Sequence, residues 1–192
     1  MAGRILPPGH SRIIIIEGIA GSGKDTFQKN LAEHSAKGGF IVYSFSEEEL
    51  LFSWKHYWIN NMESHRIRFL HSLLDYCEEL IENPKVVVIL NRFHITYAIF
   101  SKFEKKAKKL YDRLVWRLSN LPVQIFVGKL SEENIGKRAL HPERNDIVWR
   151  MHQDKRLQVS GFGTLTELYK EEQKTIFTIA EKQGIPYSIF YL

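Results

Sequence analysis

The sequence predicts a three-layer α/β protein built on a five-stranded parallel sheet. Five short β-branched or apolar runs carry that reading: Ile13–Glu17, Phe40–Phe45, Val86–Leu90, Val123–Val127 and Tyr187–Leu192. Each follows a helical or polar stretch. Continuous apolar strands that alternate with helices imply a parallel sheet covered on both faces. The first run also leads directly into a glycine-rich turn, Gly18-Ile-Ala-Gly21-Ser-Gly23-Lys24, and then into a helical pattern. With 192 residues the chain makes a single domain, residues 1–192.

Taken in order, residues 1–11 contain Pro7, Pro8 and Gly9 and read as a loose lead-in. A helix starts near Gly23, with Phe27, Leu31 and His34 on one face. After the second run comes an acidic stretch, Ser46-Glu47-Glu48-Glu49, ending at Trp54. Between Glu63 and Glu82, Leu70, Leu74, Cys77 and Ile81 recur at helical spacing and mark a buried stripe. From Ser101 to Leu118 a second stripe runs through Phe103, Ala107, Leu110, Leu114 and Leu118. Residues 129–145 are polar and basic, and two helices fill 145–183.

Composition narrows the classes. The hydrophobic fraction of 44% supports a sizeable core. No apolar run is long enough for a membrane span, and the N-terminus lacks the apolar region of a secretory signal. The single cysteine, Cys77, excludes an intramolecular disulfide framework and sits on a core stripe. A cytoplasmic location fits. The formal charge of +5 suits polyanionic ligands. The eight histidines show no metal-ligand spacing.

The stretch Arg12-Ile-Ile-Ile-Ile-Glu-Gly18-Ile-Ala-Gly21-Ser22-Gly23-Lys24-Asp25-Thr26 has the spacing G-x-x-x-x-G-K between a strand and a helix. Glycines let the backbone curl until several N–H groups point at phosphate oxygens. The helix N-terminus adds favourable partial charge, and Lys24 brings a full charge to the β- and γ-phosphates. Gly18, Gly21, Ser22, Gly23, Lys24, Asp25 and Thr26 are therefore the expected phosphate-binding set, with ATP as the ligand. The position after the lysine usually carries Ser or Thr, whose hydroxyl meets Mg²⁺. Here Asp25 stands there. Its carboxylate can take Mg²⁺ directly or through water, or Thr26 can supply the hydroxyl.

The P-loop opening on a Glu-Gly pair resembles that of the thymidylate kinase and deoxynucleoside kinase superfamily. Val86-Val-Val-Ile-Leu-Asn91-Arg92-Phe93-His-Ile-Thr96 is similar to the family's Asp-Arg-Tyr-x-x-Ser and Glu-Arg-Ser signatures. Lys137-Arg138-Ala-Leu-His-Pro-Glu143-Arg144 stands where the family has its arginine-rich lid. The resemblance implies a three-layer P-loop kinase fold with a small lid near 137–145, using ATP and Mg²⁺. It implies that Arg92 meets the acceptor and the transferring phosphoryl, while Arg138 and Arg144 close over ATP. Lys24, Arg92, Arg138 and Arg144 form the expected catalytic set. A structural ion pair for Arg92 and a solvated surface for the lid arginines are the alternatives.

Departures from the family bear on the acceptor. Ala20 replaces an acidic P-loop residue, and Asn91 replaces the aspartate before the signature arginine. Deoxynucleoside kinases carry an acidic base after the second strand with a tryptophan five residues on, a spacing matched by Glu49 and Trp54. Thymidylate kinases carry an arginine near the next helix, matched best by Arg68, with Arg66 beside it. Glu49, Trp54, Arg68, Asn91, Phe93 and Tyr97 make up the expected acceptor-binding set. The expected function is transfer of the γ-phosphoryl group of ATP to a nucleoside monophosphate. The alternatives are a (deoxy)nucleoside kinase, a kinase acting within nucleic acid, and a degenerate nucleotide-binding protein. Lys102, Lys105, Lys106, Lys109 and Arg113 share one helical face. That face reads as solvated, or as weak support for a nucleic-acid partner. No membrane partner is expected, and a homodimer is compatible with the sequence.

Overall fold

The computed structural model describes residues 11–51, 63–100, 105–139 and 147–191. The lead-in over residues 1–10, Trp54, Lys102, Phe103 and Arg144 lie outside them. The strands are β1 (Ile13–Glu17), β2 (Ile41–Phe45), β3 (Val86–Asn91), β4 (Val123–Lys129) and β5 (Tyr187–Tyr191). The helices are α1 (Lys24–Lys37), α2 (Glu47–Leu51), α3 (Glu63–Ile81), α4 (His94–Phe100), α5 (Lys105–Ser119), α6 (Glu132–Asn134), α7 (Ile147–Ser160) and α8 (Leu165–Lys182). A π-helical turn, Ile135–Ala139, continues α6.

All strand pairs are parallel, in the order β2-β3-β1-β4-β5. Every residue of β1 and β3 is buried. That burial explains their unbroken apolar sequence, since a strand inside a parallel sheet is covered on both faces. β2 and β5 are edges and differ from the expectation of full cover. Ile41, Tyr43, Tyr187, Ile189 and Tyr191 are exposed.

The two faces are unequal. One core joins Ile13, Ile15, Val88, Leu90, Ile125 and Val127 to the apolar stripes of α3, α5 and α8. On the other face Ile14, Ile16, Val87, Ile89 and Phe190 meet Phe27 and Leu31 of α1. The ring of Phe27 stacks on that of Phe190 with centroids 4.0 Å apart. His34 is exposed, contrary to the expected stripe. The buried row of α1 continues instead through Ser35, because 27, 31 and 35 share a face at i, i+4, i+8. The α3 stripe is buried throughout, Cys77 included, and burial pushes the Cys77 thiol up to about 12. α5 turns Ala107, Tyr111, Leu114 and Leu118 inward and leaves Lys105, Lys106, Lys109 and Arg113 exposed. Among the described residues no helix is long and apolar enough to cross a membrane.

This strand order places the site. β1 leads towards β2 on one side, whereas β3 leads across β1 to β4 on the other. Ligands in open α/β sheets bind beyond strand C-termini at such a switch point. Ile16 of β1 pairs with Asn91 of β3 there, which sets the P-loop beside Arg92.

Candidate phosphate-binding and phosphoryl-transfer site

The loop after β1 turns through three positive-φ glycines, Gly18, Gly21 and Gly23. Gly23 caps α1 in the left-handed region (φ 81) with no side-chain cap hydrogen bond. The first N–H groups of α1 are thereby left for a ligand. At Gly21 (φ 75) a Cβ would stand 2.6 Å from the Arg138 carbonyl oxygen. The π-helical turn thus lies directly on the loop. Ser22 Oγ is buried close against Gly18 and Gly128, with no hydrogen-bond partner among the described residues.

Lys24, although charged by type, is buried. Its Nζ donates to the Ile19 carbonyl at 3.1 Å and lies 4.0 Å from Glu47 Oε2. Burial, helped by the nearby Arg92 guanidinium, pulls its pKa down to about 7. Arg92 Nε lies 2.9 Å from the same Glu47 oxygen. Arg92 has φ 65, the one positive-φ residue other than glycine among those described. Such strain costs of order 1–3 kcal/mol and persists only where the surroundings enforce it. Here they do. The Arg92 N–H donates to the Ile16 carbonyl at 2.8 Å. On the next residues Glu17, wholly buried, accepts from the N–H groups of Phe93 (2.9 Å) and Ile95 (3.2 Å) and from the Thr96 hydroxyl. Burial raises the Glu17 carboxyl while the Thr96 and Phe93 donors and the Arg92 charge oppose the rise. The carboxylate staples the first turn of α4 to the end of β1 and holds the Arg92 bend between them.

A second chain of contacts runs from β2 to α1. Gln28 Nε2 donates to the Phe45 carbonyl (2.9 Å) and to Ser44 Oγ (2.8 Å). Gln28 Oε1 accepts from Asn91 Nδ2 at 2.8 Å, and the same Nδ2 donates to Asp25 Oδ1 at 2.7 Å. Asn91 Oδ1 is buried with no hydrogen-bond partner among the described residues.

Of the residues expected at the site, Gly18, Gly21, Ser22, Gly23, Lys24, Asp25, Asn91 and Arg92 come together at the ends of β1 and β3. Thr26 is exposed on the first turn of α1. Glu49 is exposed and closes a capping box with Ser46, whose N–H donates to Glu49 Oε2 at 2.6 Å, and that bond holds its carboxyl below the usual range. Glu47, two residues earlier, is the carboxylate that reaches Lys24 and Arg92. Phe93 and Tyr97 are buried in the core. Arg68 is exposed. Arg138 contributes its backbone to the P-loop contact. Trp54, Arg144 and the lid beyond Ala139 fall outside the described residues.

Sequence pattern alone marks Glu17 only as the acid that opens the P-loop, and it does not mark Gln28 or Arg156 of α7. Arg156 pairs with Glu172, donates to Gln153 Oε1 at 2.7 Å and stacks over the Tyr169 ring. Burial lowers its guanidinium from the usual value, with the Arg92 charge the smallest contributor.

Neither a family model nor a curated protein sequence matches the chain. Among solved structures, the YorR protein of Bacillus subtilis in complex with phosphorylated GDP is similar at a TM-score of 0.50 and 14% identity. The likeness covers 93% of this chain and 85% of that one. APE1195 is similar at a TM-score of 0.48 and 16% identity, over 91% and 97% of the two chains. The likeness to YorR is one of fold: the five-stranded parallel sheet and its helices form a three-layer, P-loop kinase-like α/β architecture.

Proposed function

We propose that this protein is an ATP-dependent kinase that transfers the γ-phosphoryl group to a nucleoside monophosphate. The observation that carries the reading is the convergence of Lys24 and Arg92 on one carboxylate oxygen, at 4.0 and 2.9 Å. Two cations held around a single anionic position beside a P-loop suit a phosphoryl group in transit, whose charge spreads over its equatorial oxygens. A protein that only binds nucleotide has no need of the strained Arg92. The phosphorylated GDP held by YorR is in keeping with a nucleotide ligand.

Before nucleotide binds, Glu47 stands as the counter-ion to both cations, while Arg92 Nε, 2.9 Å away, makes no aligned hydrogen bond to it. Phosphate then takes over Lys24 and Arg92, and the Lys24 ammonium leaves the Ile19 carbonyl for phosphate oxygens. Backbone N–H groups of the loop and of the α1 N-terminus orient the β-phosphate. Asp25 presents a hard oxygen that would fit a divalent cation, and Mg²⁺ arriving with ATP would neutralise phosphate charge there. The lid proposed over residues 137–145 is rooted in the π-helical turn on Gly21, and its Arg138 and Arg144 are proposed to complete the cover over ATP. A cytoplasmic setting suits this chemistry.

Glu47 favours a second reading, a nucleoside kinase. A carboxylate beside the transfer position can take the proton of an attacking hydroxyl, whereas a monophosphate is already anionic and needs no base. Glu47→Gln separates the two. With a nucleoside acceptor, kcat falls roughly 10²–10⁴-fold. With a monophosphate acceptor, kcat changes little and ATP binds no more weakly, because a competitor for the two cations is gone. A large loss of kcat with unchanged KM overturns the monophosphate reading.

A further inference from the structure

The position after the P-loop lysine carries an acid, and the end of β3 carries an amide. A P-loop site commonly has a hydroxyl in the first place and an aspartate on the metal's far side. Read one at a time, Asp25 and Asn91 look like losses. Their contacts show that they are linked. Phe45 offers a backbone carbonyl, which can only accept, so Gln28 must turn its NH₂ towards β2 and its Oε1 towards Asn91. Asn91 must then present Nδ2 to Gln28 Oε1 at 2.8 Å, and the same group reaches Asp25 Oδ1 at 2.7 Å. One obligate acceptor on β2 fixes two amides in turn and ends on the Asp25 carboxylate. The remaining oxygen, Asn91 Oδ1, is buried and has no hydrogen-bond partner among the described residues.

We infer that the relay Phe45–Gln28–Asn91 exists to aim the Asp25 carboxylate at the metal of the metal–nucleotide complex, with Asn91 and Gln28 as positioning residues. The inference rests on the phosphate-binding reading of the loop. An aspartate at 91 would set a second carboxylate against Asp25 and against Gln28 Oε1, with no donor between them. An amide at 91 supplies the donor and adds no charge. The acid of this site therefore stands on α1 and its neutral partner on β3. Asp25 is exposed on its helix and long-range attraction alone would not fix its rotamer, so the 2.7 Å bond from Asn91 gives it direction.

The test is equilibrium binding of ATP with and without Mg²⁺, for the wild type and for Asp25→Asn, Asn91→Ala and Gln28→Met, with a melting curve for each. Gln28→Met keeps the side-chain volume and removes both relay contacts, so it serves should Asn91→Ala fail to fold. In the wild type Mg²⁺ tightens ATP. Asp25→Asn abolishes that tightening. Asn91→Ala and Gln28→Met reduce it about tenfold or more, the scale of losing a partner that orients a metal ligand. Affinity for metal-free ATP stays within about twofold, which a merely structural role for the relay does not predict. Tightening left intact in both relay variants overturns the inference while the phosphate-binding reading stands. Failure of the wild type to bind ATP in either condition overturns both.

Discussion

Lys24 is held in a state that nucleotide must change. Its ordinary pKa of 10.5 falls to about 7 through burial and the Arg92 charge. Between those values the unfolded chain carries the extra proton, so folding stability from this group rises with pH across that window. A polyphosphate beside the ammonium reverses the shift, and binding at pH 8.5 takes up about one proton, against almost none at pH 6. Calorimetric titration in two buffers of different ionisation enthalpy measures this, and an absence of uptake at pH 8.5 would place the phosphates away from Lys24. Lys24→Met is expected to remove turnover and leave the melting temperature unchanged or higher, because an ammonium no longer has to be desolvated. The P-loop glycines and Lys24 were legible because the motif is contiguous. Glu47 was harder to separate from Glu49. Family spacing points to Glu49, whereas Ser46-x-x-Glu49 is also a capping-box pattern, and the capping box forms.

At the scale of elements, α4 connects the site to the rest of the core. Glu17 holds its N-terminal turn, and His94 on that turn reaches Gln183 at 2.7 Å, just past α8. Gln183 in turn donates to the Tyr111 hydroxyl of α5 at 2.9 Å. Burial lowers His94 to about 4, against an ordinary 6.5. Its folded pKa is depressed, so its contribution to stability is present in full above pH 6.5 and is lost as pH falls towards 4. Chemical denaturation between pH 7 and 4 should show that decline, and His94→Gln should flatten it. An unchanged slope in the variant would show that other groups cause the acid loss. Strands and long helices were readable from periodicity, since 70, 74, 77 and 81 fall on one buried face of α3. The relay through Gln28 and the Glu17 staple were not readable. Both join residues more than sixty positions apart, and nothing in a polar side chain announces its partner.

Over the whole molecule, parallel order, switch point and P-loop agree on one location, and the π-helical turn covers it. Gly21→Ala forces a side chain into a left-handed backbone and against the Arg138 carbonyl. It should cost roughly 1–3 kcal/mol of stability and weaken ATP binding. Amide exchange over residues 135–139 should slow when ATP and acceptor are bound, and equal rates in both states would argue against a lid rooted there. The exposed edge strands show where pattern reading ends: Ile41 and Ile189 have the composition of a buried strand, and only sheet order reveals that nothing pairs beyond them among the described residues. Turnover tests the proposed kinase activity most directly. Wild-type protein and Lys24→Met should be assayed with ATP and Mg²⁺ against a panel of nucleoside monophosphates, nucleosides and oligonucleotides, with product identified by mass. A nucleoside diphosphate formed from one monophosphate by the wild type, and lost in Lys24→Met, is the predicted result. ATP that binds yet yields no phosphorylated product from any acceptor would contradict it.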